Sequence, residues 1–165
     1  MSNLSYLTLI IATVLAALVA GLFYSWSVSV MPGIGRLNDR GFMEAMQAMN
    51  RAILNPLFFI SFMGCLLLLP ASAFLLYERP LPARFWLVAA ASLVYIAGVF
   101  GVTAAGNVPL NEALDKFSVE GTTAEAIAAA RRNFEARWNM LNNVRTFFSL
   151  VTVVLMIIAC SWGNK

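Results

Sequence analysis

The chain has 165 residues, the length of one domain, and 61% of them are hydrophobic against 12% charged. A soluble core is ordinarily about 45–50% apolar, so this composition, with a mean hydropathy of +0.78, excludes an ordinary water-soluble globule. The net charge of +3 comes from basic residues set between apolar runs, which points to a membrane arrangement and not to nucleic acid.

The apolar excess is clumped. Asp, Glu, Lys and Arg are absent from 1–35, 52–77, 85–111 and 146–164, runs of at least 19 residues each. About 20 apolar residues cross a bilayer core as a helix, and a helix satisfies its own backbone groups in lipid. The runs predict an all-α fold: one integral membrane four-helix bundle over 1–165, with spans at about 7–30, 57–77, 86–105 and 146–162. No Lys or Arg precedes the first run, which is also longer than a signal-peptide core, so it is read as a retained helix.

Loop one, from about Met31 to Pro56, carries Phe42, Met46, Met49 and Ile53 at helical spacing, with Glu44, Gln47 and Arg51 off the stripe. ERPLPAR (Glu78 to Arg84) is short and holds two prolines; it is a tight turn that makes spans two and three antiparallel neighbours. In loop three, from about Gly106 to Arg145, TTAE (Thr122 to Glu125) has capping-box spacing. Ile127, Ala130, Phe134 and Trp138 then mark one helical face. Each long loop thus holds an amphipathic helix that lies at the interface or extends the following span. The halves rhyme: MPGIGRLND (Met31 to Asp39) follows span one and NVPLNEALD (Asn107 to Asp115) follows span three, as a duplicated two-helix unit would have it. Eight of the eleven Lys and Arg lie in the long loops, which the positive-inside rule places in the cytoplasm. Cys65 and Cys160 form no CxxC pair and read as buried small hydrophobes. Val94, Gly98 and Gly106 make no regular small-xxx-small seam, and a homo-oligomer stays open.

The polar residues of interest gather at the long-loop end. In FEARWNMLNNVRTFF (Phe134 to Phe148), Trp138, Asn142 and Arg145 share a helical face. Asn107 and Asn111 bracket Pro109, Asn50 and Asn55 lead to Pro56, and Tyr24, Ser25, Ser27 and Ser29 approach within span one. Capping and interfacial anchoring account for such residues singly. They do not account for Asn139, Asn142 and Asn143 together beside an Arg at the mouth of a bundle, where ionisable groups mark function. The expected catalytic residues are Arg145, Asn142, Asn107 and Asn111, and the expected substrate-binding residues are Trp138, Tyr24, Asn50 and Asn55.

The chain has no histidine, which excludes His-ligated haem, zinc or copper and a Ser-His-Asp triad. No carboxylate falls within a span, so a bundle-core di-iron site lacks ligands. GIG (Gly33 to Gly35) lacks the rest of a nucleotide-binding fingerprint. Neither a proton relay nor a broken helix announces transport. The expectation is no metal and no cofactor. Amides, hydroxyls, an indole and a guanidinium remain, which can bind an aromatic or carbonyl compound arriving from lipid and stabilise negative charge on oxygen. The rival readings are non-enzymatic binding of a membrane lipid, a quinone or a partner subunit, and a purely structural tie between loops and bundle.

GLFYSWSVSVMPGIGRL, AMQAMNRAILNP, NVPLNEAL and FEARWNMLNNVRT resemble the anthrone oxygenase family of small four-span membrane proteins, formerly a domain of unknown function. The resemblance runs from about Gly21 to Phe147. It is most specific at Asn107 to Asn111 and at Trp138 to Arg145, where Asn139 and Asn142 match. Some fungal members are associated with oxidising anthrones to anthraquinones, and most bacterial members have no assigned role. The resemblance implies a cofactor-independent monooxygenase in a bacterial inner membrane, acting on a lipophilic small molecule. Arg145 would hold an enolate oxygen, with Asn107, Asn111 and Asn142 as further donors and Trp138 against the rings. Glu112 is then the nearest candidate base, ahead of Tyr24.

Overall fold

The computed structural model describes residues 2–161. Four helices are long and apolar enough to cross a membrane: α1 (Asn3–Ile34), α3 (Pro56–Leu75), α4 (Ala83–Lys116) and α5 (Ala124–Ser161). A fifth, α2 (Asp39–Ala52), is amphipathic and sits outside the apolar runs. α1 packs on α3 and α5, and α4 packs on the same two, which closes an up-and-down ring. The inner face of α1 is Leu9, Ala12, Ala16 and Val19, all buried; small side chains there let backbones approach closely. Leu7, Leu18, Leu67, Phe74 and Leu93 face outward and exposed, as fits a membrane protein. Three hydroxyls inside the ring bond to their own helices: Ser92 to the Val88 carbonyl at 2.8 Å, Thr103 to Val99 at 2.7 Å, Thr152 to Phe148 at 2.9 Å. The buried Ser72 hydroxyl has no partner.

The two long loops resolve differently. Loop one contains a separate helix because Pro56 has no N–H to continue one. Asn55 caps the new start, its side chain accepting from the Phe58 amide at 3.1 Å. The amphipathic helix of loop three instead continues without a break into the last span, so α5 runs 38 residues. Its start differs from the capping box expected at Thr122. Thr123 takes the Ala126 amide at 3.4 Å, while the Thr122 hydroxyl turns back to the Ser118 carbonyl at 2.7 Å.

Two apolar cores result. The first fills the ring with Leu9, Phe62, Leu69, Val88, Tyr95 and Met156. The second joins α2 to the outer halves of α4 and α5 through Phe42, Met46, Leu114, Ile127, Phe134 and Trp138; both stripes read from the loops lie in it except Ile53, which lines a cavity beside it. Polar clips lock this outer unit. The Gln47 amide donates to the Leu114 and Phe117 carbonyls at 2.8 Å each. Arg131 donates to the Gly35 carbonyl at 2.8 Å and pairs with Asp39 at 3.1 Å and Glu135 at 2.7 Å. It thereby fastens the end of α1 to α5.

Neither α1 nor α4 is a uniform α-helix, although each runs without a break. Each widens to i→i+5 bonding, over Trp26–Val30 in α1 and over Tyr95–Gly101 and Thr103–Asn107 in α4. The rhyming stretches explain part of this. Pro32 and Pro109 each follow directly on a wide turn, in the first turn of the next α-segment. A proline ring collides with the carbonyl four residues back, and a wider turn moves that carbonyl aside. Such turns inside α-helices concentrate at functional sites.

Close packing of α4 on α5 makes a prediction. A Cβ at Gly98 would run into the Phe148 ring, whereas one at Gly21 meets nothing within 4 Å. Gly98→Val should cost about 1–3 kcal/mol through overpacking, read as a lowered Tm in detergent, and Gly21→Ala should leave Tm unchanged or higher.

Candidate functional site

A polar layer separates the two cores. α5 supplies Trp138, Asn142, Arg145 and Thr146 from one buried face. Asn142 is its hub. Its amide N–H donates to Ser27 Oγ at 2.8 Å and to the Phe23 carbonyl at 3.2 Å. Its Oδ1 accepts from Arg145 Nη2 at 2.7 Å. Ser27 Oγ also meets Thr146 Oγ1 at 3.0 Å. Trp138 Nε1 donates to Asn111 Oδ1 at 2.8 Å. These bonds tie α1 and α4 to α5 over about two turns of α5.

Arg145 is only 6% exposed, and none of the four ion pairs among the described residues includes it. Its charge is held by π faces: Cζ lies 4.3 Å from the Phe23 ring centroid and 5.5 Å from that of Trp138. Such contacts strengthen when desolvated, yet they do not neutralise a charge.

Asn107 is 0% exposed, and neither atom of its amide has a partner. Gly106 beside it abuts Leu141, and four residues on Asn111 bonds Trp138. This antiparallel register sets Asn107 level with Leu141 and Asn142. Five buried side-chain polar atoms among the described residues lack a partner, and four of them belong to Asn50, Asn107 and Arg145. Each such group costs about 1–3 kcal/mol. A layer that keeps four of them is incomplete as a purely structural device.

Two cavities flank the layer. The first, about 410 Å³, runs between the end of α1 and α5 and is lined by Ser27, Met31, Gly35, Glu135, Asn139 and Asn142. The second, about 320 Å³, lies between α2 and the outer part of α4. Asn50, Asn111 and Glu112 bring polar groups to it, together with Lys116 and the paired Arg51 and Asp115, and Ile53, Leu54 and Val108 give it apolar walls. Asn50 Nδ2 is among the unpartnered atoms. The amide nitrogen of Asn111 is left for another acceptor, since its oxygen already takes the Trp138 N–H. Arg145 and Asn107 line neither cavity.

The residues singled out from sequence therefore divide. Trp138, Asn142, Arg145 and Asn111 form one connected network, and Asn107 lies buried at the same level. Asn50 joins Asn111 across the second cavity. Asn55 serves as a helix cap. Tyr24 stays apart: it is 52% exposed on the outer face of α1, where the helical rotation carries it away from Phe23 and Ser27. Sequence reasoning left out Phe23 and Thr146 and listed Ser27 only as one of three serines. Ser25 and Ser29 are exposed, and the wide turn at Trp26–Val30 decides which hydroxyl points inward. A motif search has no handle on that choice.

The family model described as anthrone oxygenase matches residues 56–155. The match contains Asn107, Asn111, Glu112, Trp138, Asn142 and Arg145 and leaves out Phe23, Tyr24, Ser27, Asn50 and Asn55. Neither a curated protein nor a solved structure matches the chain.

Asn142→Ala should be among the most damaging single changes in the layer. It frees Ser27 and leaves Arg145 buried without its one hydrogen bond to a side chain. A lost charge-assisted bond is worth about 1.5–3 kcal/mol. Its melting temperature should fall below that of Asn55→Ala, which loses a cap worth about 1 kcal/mol, and Tyr24→Phe should melt as the wild type does.

Proposed function

Because the chain belongs to the anthrone oxygenase family, we propose that it oxidises a lipophilic anthrone-like aromatic at the long-loop end of the bundle, without a cofactor. The observation that supports this most is the second cavity. An unpartnered amide donor on Asn50, a half-free amide on Asn111 and the carboxylate of Glu112 share it with the Arg51–Asp115 pair, Lys116 and apolar walls. Its volume suits a small ligand, and the exposed Leu54 and Val108 at its rim give a lipid-soluble compound an apolar approach.

The chemistry follows from those groups. An anthrone methylene is acidic because its carbanion is also an aromatic phenolate-type enolate. Glu112 takes one methylene proton. The enolate oxygen that results is held by N–H groups of Asn50 and Asn111, preorganised donors aimed at developing charge. The carbanion passes one electron to O₂, and the radical and superoxide combine into a C–O bond. The peroxide anion takes back the proton from Glu112. Glu112 then removes the second methylene hydrogen as the O–O bond breaks, giving the quinone carbonyl and hydroxide, which takes that proton from Glu112 and leaves as water. One methylene and one O₂ are consumed, and one carbonyl and one water appear.

Arg145 acts on this cavity from behind. It bonds Asn142 and lies over Trp138, and Trp138 orients Asn111. Its positive charge favours the enolate, and its packing sets the donor. The cell membrane, with the long loops on the cytoplasmic side of a bacterial inner membrane, is the setting we assign. The rival reading, a module that binds a quinone or lipid without turnover, would use the same donors.

The purified protein should oxidise anthrone faster than empty detergent micelles; equal rates would defeat the enzymatic reading. Glu112→Gln should lower kcat by about 10²–10⁴, the usual worth of a general base. Arg145→Ala should abolish turnover while the helical circular dichroism is kept. A large drop in Tm with turnover per folded molecule intact would assign Arg145 a structural role only.

A further inference from the structure

The oxygenation above has two substrates, and the aromatic cavity leaves part of the polar layer unused. Asn107 keeps Nδ2 and Oδ1 unpartnered at 0% exposure, and Arg145 keeps Nε unpartnered at 6%. Capping does not explain Asn107, which makes no side-chain bond to the segment it precedes. Interfacial anchoring does not explain Arg145, which is sealed from water and lipid alike. The register of α4 on α5 sets Asn107 level with Leu141 and Asn142. The Arg145 guanidinium is drawn to the same level by its bond to Asn142 Oδ1. Helical side chains lean toward the N-terminus, which takes it from its own position up to that depth. Asn107 also ends the wide turn Thr103–Asn107.

We propose that Asn107 and Arg145 form a second compartment, one that receives dioxygen and stabilises the superoxide made from it. This inference rests on the oxygenase reading. Neutral O₂ is small and apolar and needs no hydrogen bond to enter beside the Phe23 ring. Superoxide is a small anion with two accepting oxygens, matched by a guanidinium N–H and an amide N–H. A cation without a carboxylate, in a water-poor layer, gains far more from the anion than from neutral O₂. That difference favours the electron-transfer step and not mere binding. The carbanion loses one electron and becomes a radical, O₂ gains it, and the pair then joins through the C–O bond already described. Trp138 borders both compartments, its ring 5.5 Å from Arg145 Cζ and its N–H on Asn111, and the superoxide passes its edge to meet the radical. The unpartnered amide of Asn107 is then a stability sacrifice kept for chemistry.

The test uses the full chain in detergent with Asn107→Leu and Arg145→Lys. Leucine matches Asn107 in shape and removes two buried unpartnered atoms, so Tm should rise. Its kcat/KM for O₂ should fall about 10²-fold, the worth of one oxyanion donor. Anthrone affinity, read anaerobically by fluorescence quenching, should stay within about twofold. Arg145→Lys keeps the charge and should lose less kcat/KM for O₂ than Arg145→Gln. Unchanged O₂ dependence in Asn107→Leu would overturn the compartment, as would an equal loss of anaerobic anthrone affinity, which would place Asn107 on the aromatic. Wild type no faster than empty micelles would overturn the oxygenase reading and the compartment with it.

Discussion

A guanidinium without a carboxylate is the constraint around which this end of the molecule is arranged. Arg145 is the last charge before the apolar stretch of α5, and it points into protein. Burying an ion costs several kcal/mol even after relaxation. The chain offsets that with one amide oxygen from Asn142, the faces of Phe23 and Trp138, and no counter-ion. The site is therefore electrically unfinished, and an anion is the species that would finish it.

The position of that charge follows from the two cores. The ring core is built of apolar faces and a few hydroxyls, most of them bonded to backbone carbonyls, and the buried Tyr95 hydroxyl finds the Phe62 carbonyl at 2.8 Å. The outer core is built like that of a soluble protein, with an amphipathic α2, ion pairs and backbone clips. Where they meet, neither solvent regime holds. Backbone and side chains must be satisfied by protein, yet the residues are polar. α5 crosses the junction without a break and carries one face of polar residues through it. α1 and α4 cross it on wide turns, which rotate successive side chains and bring Ser27 and Asn107 into the layer.

That arrangement separates roles between the two sides of Trp138. Toward α2 and the outer part of α4, the residues make an open, partly apolar cavity with two acids, two cations and two amides. Toward the bundle interior lie the sealed cation and an amide with nothing to bond. A reaction that builds charge first on an aromatic oxygen and then on dioxygen has use for both sides. The indole, bonded to one and stacked over the other, links them mechanically and electrostatically.

The sequence by itself determined the four spans, the all-helical class, the amphipathic stripes of both long loops and the shared face of Trp138, Asn142 and Arg145. These depend on local hydropathy and helical period, which short windows carry in full. It also carried the two family motifs, since both lie in contiguous stretches. Tertiary structure alone decided which amides are caps and which are buried. Asn55 and Asn107 read alike beside a proline, but one caps a helix start at the surface and the other sits inside a continuous helix. Only packing chose Ser27 over Ser25 and Ser29, set Tyr24 outward, and placed Arg145 behind Trp138 and not at a cavity wall. Those outcomes depend on wide turns and on helix-to-helix register, which arise from contacts between residues 27 to 119 positions apart, beyond the reach of any local pattern.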